Sequence, residues 1–154
     1  MNTQTRRGVL KNVAAMAGAV ALSVDAKAQA GPATRKKAMN RLPPPGGKPS
    51  PNYSDIVTSG NLVFLSGIGA HKPGTIQEQT KYVLDELELN LKAAGTSMEN
   101  VLKVTVYLSN IANFDGMNSV YVGRFGKFPP VRSTIAAAAL VGGSLVEIDL
   151  IATK

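Results

Sequence analysis

The order in which two hydrophobic periods alternate along residues 53–152 restricts the fold more than any other feature of this sequence. Five short runs rich in β-branched and apolar residues have the length and composition of strands. They cover residues 53–58, 62–66, 101–108, 134–140 and 145–152. Two segments with a helical period, 75–94 and about 113–125, separate these runs. The order β-β-α-β-α-β-β, with two right-handed crossovers, predicts an α+β fold in which both helices cover one face of a single mixed sheet.

The two helical segments differ in how clearly their ends are marked. The first carries an apolar stripe between Ile76 and Leu91, and Gly95 follows it as a residue suited to the left-handed conformation that ends many helices. The second begins at Asn113 or Asp115 and contains Gly116 near its start. Because glycine weakens a helix interior, we expect Gly116 to interrupt this second helix early.

One face of the predicted sheet is left without helices. The run 101–108 is too apolar for both of its alternating sets of side chains to face water, and residues 136–139 are all alanine. Exposed apolar sheet surface usually marks an interface between subunits. We therefore expect a homo-oligomer whose subunits pack these sheet faces together.

Residues 1–30 have the layout of an export signal. Arg6 and Arg7 precede an apolar stretch at 13–24, and the small residues Ala28 and Ala30 flank Gln29 as in a cleavage site. The paired arginines indicate the twin-arginine type, and 12 apolar residues are too few to form a stable membrane anchor. We expect cleavage near Ala30 and a periplasmic or extracellular mature protein. The alternative is a soluble amphipathic N-terminal helix.

The positive charge of the chain lies outside the predicted domain. Residues 31–50 are rich in Pro, Gly and Lys, and we expect them to form a disordered linker before a domain at 51–154. The formal net charge of the whole chain is +7, but residues 49–154 contain 8 basic and 9 acidic side chains. A nucleic-acid-binding domain would carry a basic face of its own, so this balance argues against a nucleic-acid partner.

The sequence offers few ligands for a metal or a cofactor. It contains no Cys and a single His, His71, which lies beside Lys72-Pro73-Gly74 and is predicted to be a turn residue. The sequence contains no Walker loop, and the glycines near Ser66 lack the spacing of a nucleotide-binding loop. We therefore predict neither a metal nor an organic cofactor.

Two charged residues lie within the last two apolar runs. Arg132 follows Pro130-Val131, and Glu147 lies between Val146 and Ile148. Such charges are seldom buried unless they are paired. One interpretation is a structural Arg–acid pair in or beside the core. The other is a ligand site, because the planar guanidinium can donate two parallel hydrogen bonds to a carboxylate.

Several motifs along the domain resemble those of the RidA (YjgF-type) family. The most specific are the Arg-Ser-Thr strand at 132–134 and the Val-Glu-Ile-Asp strand at 146–149. The others are Asn52-Tyr53-Ser54, Leu65-Ser66-Gly67, Lys103-Val104-Thr105-Val106-Tyr107-Leu108 and Met117-Asn118-Ser119-Val120-Tyr121. The resemblance covers residues 49–154. It implies a chorismate-mutase-like fold and a homotrimer that packs its sheets into a central barrel, with three ligand pockets at the subunit interfaces.

The resemblance also implies roles for individual residues. Arg132 would hold the substrate carboxylate, and Glu147 would be the acid near the attacking water. The other pocket-lining positions would be Tyr53, Ser66, Gly67, Asn118 and Thr134. This sequence departs from the family pattern at Ile68, where Gln is common, at Glu86, where Asn is common, and in a short connection between Asn118 and Arg132. Each polar position also has a structural alternative, since such residues often satisfy backbone groups at element ends.

The activity implied by the resemblance is hydrolysis of reactive 2-enamine and 2-imine acids, such as 2-iminobutanoate and 2-iminopropanoate, to 2-oxo acids and ammonia. The small-molecule partner would be an imino or 2-oxo acid. Other classes remain open: a non-catalytic binder of small carboxylates, and a trimeric holdase or interaction protein. Some family members are described as endoribonucleases, which the charge distribution argues against here. A deaminase needs both Arg132 and Glu147, a carboxylate binder mainly Arg132, and a holdase neither.

Overall fold

The computed structural model describes residues 37–39 and 52–154, which form one mixed sheet and two α-helices. The strands are β1 (Lys37–Met39), β2 (Ile56–Ser59), β3 (Leu62–Gly69), β4 (Val101–Leu108), β5 (Val131–Ala136) and β6 (Val146–Thr153). The helices are α1 (Ile76–Ala93) and α2 (Phe114–Tyr121). Short 3-10 turns lie at Met98–Asn100, Ile111–Asn113 and Val141–Gly143. The predicted export signal and its cleavage site lie outside the described residues.

The strand order in the sheet is β1-β2-β3-β6-β4-β5. β4 and β5 run parallel, and the other neighbouring pairs are antiparallel. The predicted order β-β-α-β-α-β-β and the single mixed α+β sheet are confirmed for residues 52–154. β1 is an addition: three residues of the segment predicted to be a disordered linker pair with β2, so that prediction is wrong for Lys37–Met39.

Both helices pack on one face of the sheet, as predicted. The core between the layers is aliphatic and contains Val83, Leu84 and Leu87 of α1, which are fully buried. α1 starts at a capping box in which Thr75 and Glu78 exchange hydrogen bonds, and it ends before Gly95, whose φ of 80° matches the predicted left-handed position. Among the described residues, neither helix is long and apolar enough to cross a membrane.

α2 differs from its prediction in length and in the role of Gly116. The helix ends at Tyr121 rather than near Phe125, and Gly116 lies inside it without interrupting it. A Cβ atom built on Gly116 would lie 2.6 Å from the Cγ2 atom of Ile76. The glycine therefore allows α2 to approach the start of α1, and this tertiary contact outweighs the low helix propensity of glycine.

Several strand boundaries also differ from the sequence prediction: β2 begins at Ile56 rather than at Tyr53, and β5 begins at Val131 rather than at Thr134. Two further differences have a cause in strand pairing. β3 continues past Ser66 to Gly69, with an irregularity between Leu65 and Ile68 where it pairs with β6. β5 ends at Ala136, so residues 137–140 are not part of a strand. The N–H of Ala137 donates to the carbonyl of Leu108, the last residue of β4, and β5 has no further β4 residue to pair with.

The second face of the sheet is the uncovered face that the sequence predicted. Within residues 37–39 and 52–154, neither helix packs against it, and it exposes apolar side chains such as Phe64, Val131 and Ile135. Polar groups interrupt this surface. The Tyr107 hydroxyl donates to Oδ2 of Asp149 at 3.0 Å, and this hydrogen bond raises the pKa of the tyrosine. We call this surface the bare face.

Candidate functional site

The seven residues proposed for the site from sequence lie in two separate groups. The first group, on β5 and α2, contains Arg132, Thr134 and Asn118. The second group lies around β3 and β6 and contains Tyr53, Ser66, Gly67 and Glu147. We call the first group the arginine cradle and the second the glutamate group.

The arginine cradle is built by one stripe of α2. Arg132 pairs in register with buried Val104, so its side chain points to the helix-covered face at the edge of the sheet. Phe114, Asn118 and Tyr121 follow one another at helical spacings of four and three residues and therefore share one side of α2. Their common direction brings all three to the guanidinium.

The contacts of Arg132 fix the plane of its guanidinium. Its Nη1 donates to Oδ1 of Asn118 at 2.8 Å, while its Cζ lies 4.6 Å from the Tyr121 ring centroid and 5.6 Å from that of Phe114. A guanidinium has five N–H donors, so donors remain for a ligand after the bond to Asn118. Two aromatic walls and one amide thus orient a fork suited to a carboxylate.

Tyr121 is a functional candidate that the sequence prediction missed. Its side chain is buried, and its hydroxyl has no hydrogen-bond partner among the described residues. Burial raises the pKa of Tyr121, although the positive charge of Arg132 acts in the opposite direction. The spacing of Phe114, Asn118 and Tyr121 was the available signal, but it carries this meaning only once α2 is known to face Arg132.

Thr134 extends the arginine cradle along β5. It pairs with buried Val106 and therefore points to the same face of the sheet as Arg132. Its Oγ1 atom is buried and finds no hydrogen-bond partner within the described part of the chain. Buried hydroxyls are usually satisfied, so this atom and the Tyr121 hydroxyl are two unpaired polar groups on the two elements of the cradle.

A cavity of about 550 Å³ opens beside the arginine cradle. Arg132, Asn118 and Tyr121 form one part of its wall, and the connection from α2 to β5 forms the rest. The further lining residues are Val122, Gly123, Phe125, Gly126, Pro129 and Pro130. We call this space the cradle cavity.

The glutamate group surrounds the irregular part of β3. Tyr53, Ser66 and Gly67 line one cavity of about 220 Å³ that reaches towards α1. On the α1 side this cavity is lined by Glu86 and by Asn90, whose buried Oδ1 has no partner within residues 52–154. The structure thus brings these three predicted residues together.

Glu147 joins this group through a close approach to Gly67. A Cβ atom built on Gly67 would overlap Oε1 of Glu147, so only glycine leaves room for the carboxylate in this position. The neighbours of Glu147 on β6, Val146 and Ile148, are fully buried in the core. Because side chains alternate along a strand, Glu147 points to the bare face.

Arg132 and Glu147 do not meet within one chain. Arg132 is opposite Val104 on β4, and Glu147 is opposite Tyr107, three residues further along the same strand. Two strand spacings and three residue rises place their Cα atoms about 14 Å apart, with side chains on opposite faces. The alternative interpretation, a structural Arg132–Glu147 pair within the subunit, is therefore wrong.

The predicted turn residue His71 lies in the loop that follows β3. It has a φ of 49°, and its backbone N–H donates to Oγ of Ser144 at 3.1 Å. Gly142 lies so close that a Cβ there would overlap the imidazole. His71 thus holds two loops together, and no cluster of three metal-binding side chains occurs within residues 37–39 and 52–154.

Comparison with known proteins gives consistent matches over the domain. The family model described as Endoribonuclease L-PSP matches residues 46–154. A RutC family protein of Pyrococcus horikoshii is 38% identical over 114 residues, covering 70% of this chain and 90% of that protein. The chloroplastic Reactive Intermediate Deaminase A of Arabidopsis thaliana is 37% identical over 108 residues, covering 66% of this chain and 58% of that protein.

Solved structures give the same result. A crystal structure described as an endoribonuclease L-PSP of Entamoeba histolytica is 34% identical and superposes with a TM-score of 0.70. The match covers 78% of this chain and all of that one. The crystal structure of yeast Mmf1 has 26% identity and a TM-score of 0.71 over 78% of this chain and 99% of that chain.

Proposed function

Because this chain belongs to the Endoribonuclease L-PSP family, which includes the YjgF, RutC and Rid proteins, we propose that it hydrolyses 2-imino acids to 2-oxo acids and ammonia. The observation that carries the proposal is the arginine cradle. It orients a guanidinium for a carboxylate beside an open cavity, which is the recognition that an imino acid requires. The relative named Reactive Intermediate Deaminase A supports the reaction class.

We propose that the complete site forms between subunits of a homotrimer. Trimers are typical of this family, and the bare face needs a covering partner. Glu147 lies on that bare face, whereas Arg132 lies at the edge of the helix-covered face. A neighbouring copy that places its β5 edge against the bare face would present its own arginine cradle to the first subunit's Glu147. The interface would then assemble the two groups that one chain keeps apart.

The proposed reaction requires only a few groups in the site. Arg132 binds the substrate carboxylate and fixes the adjacent C=N carbon. Glu147 accepts a proton from water as the water oxygen bonds to that carbon, and it passes this proton to the imine nitrogen. The carbinol O–H then gives up its proton, the amine nitrogen gains it as the C–N bond breaks, and the products are ammonia and the 2-oxo acid. The carbon keeps its oxidation state throughout, so no electron acceptor enters the reaction.

A second candidate function is the binding of a small carboxylate without turnover. The arginine cradle is complete within one chain, whereas Glu147 depends on a partner to reach it. A protein that kept the cradle but lost the interface would bind 2-oxo acids and hydrolyse nothing. This candidate predicts that ligand affinity depends on Arg132 and is indifferent to Glu147.

We also propose that the protein acts outside the cytoplasm. The support is the sequence layout of residues 1–30, with Arg6-Arg7, a short apolar stretch and Ala28-Gln29-Ala30. Mass spectrometry of protein secreted by a host with that export route would test it. We expect a mature N-terminus at Gly31, and an intact Met1 on secreted protein would contradict the proposal.

Mixing two impaired variants tests the reaction and the shared site together. Arg132→Ala and Glu147→Gln each damage one half of every interface site. In trimers refolded from an equal mixture, about a quarter of the interfaces combine an intact Arg132 with an intact Glu147 from the neighbouring chain. We therefore expect the mixture to recover about a quarter of wild-type imine hydrolysis, measured above the spontaneous rate.

The control is the double variant Arg132→Ala/Glu147→Gln mixed with either single variant, which can form no intact site. Light scattering should report three times the chain mass for every mixture. A mixture no more active than its components would contradict the shared site. A wild type that adds nothing to the spontaneous rate would contradict the deaminase itself.

A further inference from the structure

We propose that the cradle cavity binds the side chain of the substrate, and that the preferred substrates are 2-imino acids with branched aliphatic or aromatic side chains. This inference rests on the proposed function, because it takes the substrate carboxylate to be on Arg132. It differs from the expectation of three- and four-carbon substrates such as 2-iminopropanoate and 2-iminobutanoate.

The size of the cavity is the first argument. Its volume of about 550 Å³ falls within the range of about 300–1,000 Å³ that is typical for drug-sized ligands. A four-carbon imino acid held by its carboxylate would leave most of this space to water. A ligand that extends from the guanidinium into the cavity would instead replace that water with apolar contacts.

The chemistry of the wall is the second argument. Among the described residues that line the cavity, Arg132 alone is charged, and Asn118 and Tyr121 lie beside it at the cradle end. The remaining wall is apolar or glycine and consists of Val122, Gly123, Phe125, Gly126, Pro129 and Pro130. A matching ligand has one carboxylate and an apolar body, which describes the imines of leucine-like and phenylalanine-like amino acids.

The wall is also preformed, so the space does not depend on ligand binding. Phe125 is almost fully buried, and its ring centroid lies 4.9 Å from that of Tyr121, the same residue that stacks on Arg132. Pro129 and Pro130, which also line the cavity, restrict the backbone of another part of the wall. One aromatic pair therefore connects the carboxylate end of the cavity to its apolar end.

Gly123 shows where the open space comes from. Its φ of 81° turns the chain directly after α2, and a Cβ built on it would meet no described atom within 4 Å. The connection from α2 to β5 thus leaves the helix in a left-handed turn and passes around the cavity instead of filling it. Residues of the link between Asn118 and Arg132 therefore border the space.

The test measures binding of the 2-oxo acid products, which the enzyme does not turn over. Pyruvate, 2-oxobutanoate, 4-methyl-2-oxopentanoate and phenylpyruvate are titrated into the full-length protein by calorimetry. We expect each added methylene to tighten binding about fourfold, which makes 4-methyl-2-oxopentanoate about 60-fold tighter than pyruvate. Equal affinity across the series, or tightest binding of pyruvate, would overturn the proposal.

A substitution at the rim supplies a second, independent readout. Val122 lines the cavity and is 78% exposed, so Val122→Trp narrows the cavity without disturbing the core. We expect it to weaken 4-methyl-2-oxopentanoate at least tenfold while pyruvate binding changes less than twofold. The matched control is Val141→Trp, because Val141 is 76% exposed and lies on the loop between β5 and β6.

The outcomes separate this inference from the deaminase proposal. Graded binding without any imine hydrolysis supports the subsite and refutes the deaminase. Hydrolysis with equal binding of all four acids refutes the subsite alone. An identical loss of pyruvate and 4-methyl-2-oxopentanoate binding in Val122→Trp also refutes it, because a side-chain subsite must discriminate between the two.

Discussion

The arginine cradle and the glutamate group differ in how much of each a single chain supplies. One side of α2 places two aromatic rings and an amide against the Arg132 guanidinium, so the proposed binding half lies within one chain. Glu147 has its position secured by the space above Gly67, but it faces a surface that only another molecule can cover. In the proposed function, one subunit would therefore bind the ligand, whereas the chemistry would need two.

Glu147→Gln is expected to separate the arginine cradle from the glutamate group most clearly, because it should change catalysis without changing binding. This change keeps the shape of the side chain and removes the base, so kcat should fall about 10²- to 10⁴-fold with little change in KM. Steady-state hydrolysis of an imino acid generated by a separate oxidase measures both constants. An equal fall in 2-oxo acid affinity would show that Glu147 also binds substrate. It would contradict the assignment of binding to the arginine cradle and catalysis to the glutamate group.

Gly67→Ala should reproduce part of that loss without touching a charged residue. The added methyl group overlaps the Glu147 carboxylate and displaces it, and a displacement of about 1 Å can lower kcat about 100-fold. The control is the same change in the Glu147→Gln background, where it should have little further effect on kcat. Independent, additive losses would mean that Gly67 does not act by positioning Glu147.

Arg132→Ala should affect capture rather than the proton transfers. Losing a charge-assisted pair worth about 1.5–3 kcal/mol lowers kcat/KM about 10- to 150-fold. Calorimetry should show the same loss in 2-oxo acid affinity. The Arg132→Lys variant keeps the charge but loses the planar fork, so we expect it to recover only part of the affinity. Full recovery would indicate that charge, and not geometry, holds the ligand.

Tyr121 tests whether the ring or its hydroxyl matters for positioning Arg132. Tyr121→Leu removes a cation–π contact worth about 0.5–2 kcal/mol and should raise KM about 2- to 30-fold with kcat nearly unchanged. Tyr121→Phe keeps the ring and should rescue KM. Since the hydroxyl is buried without a described partner, thermal denaturation of Tyr121→Phe should show no loss of stability. A rise in KM for the phenylalanine variant would assign the hydroxyl to ligand binding.

Thr134→Val is expected to have the smallest effect. It tests only whether the arginine cradle includes the hydroxyl of Thr134. It replaces a buried, unpaired hydroxyl with a methyl group of similar shape, so the free energy of unfolding should stay the same or increase slightly. If a ligand satisfies Oγ1, 2-oxo acid binding should weaken by about 1 kcal/mol, or about fivefold. Unchanged affinity would place Thr134 outside the ligand site.

The parts of the molecule that were predictable from sequence are those whose cause is local. The ends of α1 follow from Thr75 and Gly95, which act within one helical turn. The end of β5 depends on where β4 runs out of partners, and the continuity of α2 at Gly116 depends on Ile76 of another helix. Neither cause is visible in the segment itself.

In the site, too, only the features with a local cause were predictable from the sequence. The residue types were predicted, because Arg132 and Glu147 stand out in apolar strands. Their separation was not, because it depends on β6 lying between β3 and β4 and on the register of both pairs. Phe114 and Tyr121 were missed because nothing in the sequence says which element α2 faces.

A site shared across the bare face, as proposed, would make the activity of this protein depend on its concentration. If complete sites exist only between neighbouring chains of the trimer, dilution below the dissociation constant of the trimer lowers the number of complete sites more than it lowers the amount of protein. Specific activity would then rise steeply with concentration and level off, while ligand occupancy of the separated chains would persist. A cell could regulate such an activity by expression level alone.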